Sequence, residues 1–73
     1  MTDAAETRLY RVQSRTMAHS IAASLRGAGF DGKPDIRLGG PMVSVVAEPS
    51  DWVKVESIIR GHDRSATAVA ASS

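Results

Sequence analysis

The chain contains no cysteine, which excludes a disulfide framework and a thiolate zinc site and agrees with a reducing compartment. Aromatic residues are scarce, with one Trp, one Tyr and one Phe, too few for the paired stacking platform of RNA-binding sheets. No apolar run approaches the roughly 18 residues that span a bilayer. The opening MTDAAETR places acids ahead of any apolar segment, unlike a secretory signal. A soluble cytoplasmic protein without a membrane partner is expected. Charge of one sign is also lacking: nine Lys and Arg against eight Asp and Glu leave a net +1, too little for bulk charge to drive binding to a polyanion. At 73 residues the chain makes one domain at most, and a domain of this size buries only about 60% of its unfolded surface.

Periodicity divides the remainder. Residues 1–7 are small and polar, and a disordered lead is expected there. From Arg8, Leu9, Tyr10 and Val12 form a β-favouring run, closed by Ser14, a good helix N-cap. Met17, Ile21, Leu25 and Ala28 then recur at helical spacing, predicting a helix over 15–28 that Gly27 and Gly29 end. Turn chemistry assigns FDGKPD to a loop, with Phe30 packing back on the helix. A short strand follows, with Ile36 and Leu38 inward and Arg37 outward. Gly39-Gly40 then reads as a tight hairpin into a strand over 42–48. Pro49, Ser50 and Asp51 signal a second helix start, and Trp52, Val55, Ile58 and Ile59 give that helix its apolar stripe to about Gly61. Residues 8–61 are thus the expected α+β domain and 62–73 a low-complexity, flexible tail.

The order β-α-β-β-α predicts a two-layer sandwich. A right-handed crossover makes the first two strands parallel, and the third inserts antiparallel between them, giving a three-stranded mixed sheet of order 1-3-2 with both helices on one face. The strand, the helix ending in LRGAGF, the hairpin and the acidic-proline step into the second helix together resemble a truncated ferredoxin-like fold lacking its fourth strand. They are similar to the small prokaryotic signal-transducing proteins related to the GlnB group. That resemblance implies a small regulatory or interaction module. It carries over no binding residue, because the chain has no nucleotide-loop motif.

The stretch MVSVVAE is apolar on both sides: Val43, Val45 and Ala47 alternate with Met42, Ser44 and Val46. Helices on one face shelter only one set. The other set, taken as Met42, Ser44 and Val46 with Leu9 and Arg11 of the first strand, is the candidate interface for a second copy or a partner protein. The competing account has the tails or Arg stems cover it. Arg8, Tyr10, Arg11 and Arg37 form an alternative candidate surface, for single-stranded nucleic acid.

Chemical motifs are thin. His62 adjoins Asp63, but neighbours at a helix end rarely hold general-base geometry. The two histidines lack metal-ligand spacing, and no cofactor is expected. Trp52 lies on the apolar stripe and is expected to anchor the core. The sequence therefore points to a small non-enzymatic interaction or regulatory module, homodimeric through its sheet face or edge. A chain this short also suits a phage-encoded or accessory modulator of a host protein.

Overall fold

The structure, a computed structural model, describes residues 5–37 and 40–69. Strand β1 (Glu6–Arg11), helix α1 (Arg15–Gly27), strands β2 (Asp31–Arg37) and β3 (Gly40–Ala47), a 3-10 turn (Pro49–Asp51), helix α2 (Trp52–His62) and strand β4 (Thr67–Val69) follow in that order. They form a four-stranded sheet of order β2-β3-β1-β4. This βαββαβ connectivity is the split-βαβ pattern of ferredoxin-like folds.

Three expectations are corrected. The sheet has four strands, not three, because Thr67–Val69 of the expected flexible tail pairs with Leu9–Arg11. Every paired strand is antiparallel, so the sheet is not mixed, although the predicted sequence 1-3-2 survives within it. The expected loop at FDGKPD contributes most of β2. Pro34 is tolerated there because β2 is an edge strand, where one side of the ladder has no partner. The expected inward Leu38 and the first hairpin glycine, Gly39, lie outside the described residues; Gly40 has φ +119°, as a tight reversal requires.

Local chemistry explains α1. The Ser14 hydroxyl accepts from the Met17 amide at 3.1 Å, satisfying one donor at the helix start. At the other end the Phe30 amide donates to Leu25 and the Gly29 amide to Arg26. With Gly29 at φ +94°, this is a Schellman ending, and Phe30 packs back on the core as its hydrophobic contact. α2 begins differently: neither Ser50 nor Asp51 caps it by a side chain. Pro49 instead opens a 3-10 lead in which the Asp51 amide donates to Glu48.

Both helices cover one face. Ile21, Leu25, Val55 and Ile59 meet Tyr10, Val43, Val45 and Ala47 in one buried cluster. Gly32 of β2 lets α1 approach closely, since a Cβ there would stand 3.0 Å from Leu25 Cβ and Cδ1. Trp52 is 6% exposed, as expected of a core anchor, and its indole nitrogen has no partner among the described residues. The Arg8 guanidinium carbon lies 4.3 Å from the Trp52 ring centroid.

The connection from α2 to β4 is held by a buried carboxylate. Asp63 is 2% exposed; it accepts from the Gln13 amide at 2.9 Å and from the Ser65 amide and hydroxyl at 3.0 and 2.7 Å. Burial alone pushes its carboxyl upward, but the hydrogen bonds from Ser65 and Gln13 outweigh it and hold the group below its usual value. One side chain thereby ties the end of β1 to the turn that delivers β4.

Candidate interaction face

Register decides which side of β3 is open. Tyr10 pairs with Val43 and Arg8 with Val45, and these positions lie on the helix side; Leu9 pairs with Ser44, Arg11 with Met42 and Thr7 with Val46 on the other. Met42, Ser44, Val46, Leu9 and Arg11, the candidate interface, therefore occupy the sheet face opposite the helices. β2 adds Asp31, Lys33 and Asp35 in register with Val46, Ser44 and Met42. β4 adds Val69 beside Leu9, a residue that sequence reasoning assigned to the tail. Only pairing across strands reveals it, since a three-residue run carries no periodicity of its own.

Exposure is uneven across this face. Leu9, Ser44, Val46 and Val69 are half-buried. Met42 is 7% exposed although outside the helix-side cluster. It stands in the register row between Arg11 and Asp35. The expectation that Met42 presents bare surface is thus corrected. The accessible apolar part is Leu9 with Val69 directly beside it and Val46 diagonal to it on β3, bordered by charged residues of β2 and by Arg11.

The alternative quartet does not share one surface. Tyr10 is 2% exposed, and its hydroxyl donates to Glu56 Oε2 at 3.0 Å. Burial and then the Glu56 carboxylate push its pKa above the usual phenol value. Arg8 lies over Trp52 and forms an ion pair with Glu6 at 3.3 Å. Both face the helix layer, whereas Arg11 is on the opposite side, and the Arg37 side chain lies outside the described residues.

On the helix side the C-terminal turns of α1 and α2 frame an open groove of about 610 Å³ lined by Ser24, Ser57, Ile58, His62 and small residues. His62 Nε2 is 2.7 Å from Ser24 Oγ, so His62 braces α1 while its sequence neighbour Asp63 turns inward. The converging helix ends carry negative poles, which Arg26 and Arg60 in their last turns offset. Among the described residues no group of three His, Cys, Asp or Glu is arranged to hold a metal ion, and no helix is long and apolar enough to cross a membrane.

No family model, curated protein or solved structure matches the chain.

Proposed function

We propose that the chain is a small non-enzymatic interaction module that self-associates by packing the open face of its sheet against the same face of a second copy. The observation supporting it is the apolar group of Leu9, its neighbour Val69 and the diagonal Val46, half-buried on the face that neither helix covers. Polar residues border this group. Such an arrangement, an apolar centre with a charged rim, is what a protein interface needs. A second copy also offers charge complementarity. With the two sheets related by a twofold parallel to the strands, β1 of one copy overlies β3 of the other, and Arg11 then stands one strand away from Asp35 of β2, which shares its register row.

Val46→Asp tests this against its neighbour Val45→Asp. A carboxylate at 46 reaches solvent in the isolated chain but is buried in the pair, so this variant is expected to fold and to sediment as a monomer. At Val45, which is 0% exposed, the same change buries an unpaired charge and unfolds the chain. A folded Val46→Asp variant that still associates would sink the proposal.

A further inference from the structure

The net charge of +1 conceals a segregation that appears only in three dimensions. Across α1, the 3-10 turn, α2 and the turn at 63–65, the exposed charged residues are Arg15, Arg26, Lys54, Arg60 and Arg64, all cations. The three acids of the same segments are withdrawn. Asp63 is buried within its hydrogen bonds, Glu56 is half-buried under Tyr10, and Asp51 is half-buried in the 3-10 turn. The exposed acids Glu6, Asp31 and Glu48 belong to the sheet, at the ends of β1, β2 and β3.

We infer that this helix layer is a second, separate binding surface, one that takes the phosphate backbone of duplex nucleic acid without reading its sequence. Three features favour that partner. Four of the five cations are arginines, whose guanidinium groups match phosphate geometry. Arg15 and Arg26 are eleven residues apart, about 16 Å along the helix, a spacing suited to a line of phosphates rather than to one small anion. Thr16, His19 and Ser20 lie exposed between them, and hydroxyls among cations are the usual backbone-contacting set.

Other partners fit less well. The outward side of α1 has no large apolar residue and that of α2 exposes one, Val53, too little for the centre of a protein interface, and the apolar stripes of both helices are spent in the core, leaving no face for a membrane. Single strands are bound by stacking on exposed aromatics. Here Tyr10 and Trp52 are buried and Phe30 is packed against the core.

The test is fluorescence anisotropy of a labelled 20-base-pair duplex with the full chain between 25 and 100 mM salt. A slope of log affinity against log salt near −3 is expected, a loss of roughly 60-fold over that range. Arg15→Gln and Arg60→Gln, both exposed and outside the core, should each weaken binding and reduce the slope by about one. Lys33→Gln on the open sheet face should leave both unchanged. Arg26 is unsuitable because its guanidinium also donates to the Gly32 carbonyl at 3.1 Å. The inference is overturned by no binding at 25 mM salt, or by Lys33→Gln acting as strongly as Arg15→Gln. It is equally overturned by tighter binding of the separated single strand, or by polyglutamate of equal charge competing as well as duplex. None of these outcomes bears on sheet-face association, which the Val46 variant tests separately.

Discussion

At the scale of single residues, Asp63 and Gly32 carry more of the fold than their chemistry alone indicates. Asp63 is ionised in the native chain and held below its usual value of 3.8. A depressed native value means that its contribution is fully present above the unfolded value and is lost as pH falls through the native one. Denaturant midpoints measured from pH 6 downward should therefore decline below about pH 4. Asp63→Asn, which keeps the shape but exchanges an acceptor for a donor, should remove about 2 kcal/mol at neutral pH and flatten that acid limb. An unchanged midpoint would show that the lock is ornamental. Gly32→Ala should lower stability by about 1 to 3 kcal/mol, because the added methyl meets Leu25 Cβ, which cannot swing aside. Tyr10 works in the opposite pH direction. Its raised phenol value gives a contribution present below the ordinary value near 10 and lost as pH climbs through the native one. Tyr10→Phe, which strands Glu56, should cost about 1 kcal/mol by thermal or denaturant melting.

At the scale of elements, β4 is the piece whose place depends most on distant residues. A chain ending at Ala66 keeps the helix-side core, including Ala66 itself, and should fold with a lower melting midpoint. The amides of Leu9–Arg11 that face β4 should then exchange with deuterium much faster than the rest of β1; equal protection with and without β4 would contradict its pairing. The same element shows where sequence reasoning stops. α1 is legible because its cap Ser14, its stripe and its terminating Gly29 are all local signals, and β3 because its valines alternate. β2 is not, since Asp31, Gly32 and Pro34 are each turn formers, and only an edge position with a close-packed helix above it turns them into strand residues. β4 has no signal in Thr67, Ala68 and Val69 alone; its partner is supplied by Asp63 reaching Gln13, fifty residues away. The candidate face was legible in membership, as Leu9, Arg11, Met42, Ser44 and Val46 do share one side, but alternation cannot say which side the helices take. That choice is made by the register and by where the apolar stripes of both helices dock.

At the scale of the whole molecule, the two layers divide the surface into unlike halves. The sheet side offers a small apolar group within mixed charge, and the helix side offers cations among polar residues and the exposed Val53. Apolar association should persist at high salt, whereas phosphate binding should not, so the two can be separated in one titration series. The central claim is the packing of two open sheet faces, and isotope-filtered NMR on a mixture of labelled and unlabelled chain tests it most directly. Intermolecular contacts are expected among the methyl groups of Leu9, Val46 and Val69 at concentrations where the sedimenting mass is twice 7.7 kDa. Contacts confined to helix residues such as Val53 or Ile58, or a chain that stays at 7.7 kDa with no intermolecular contact, would contradict it.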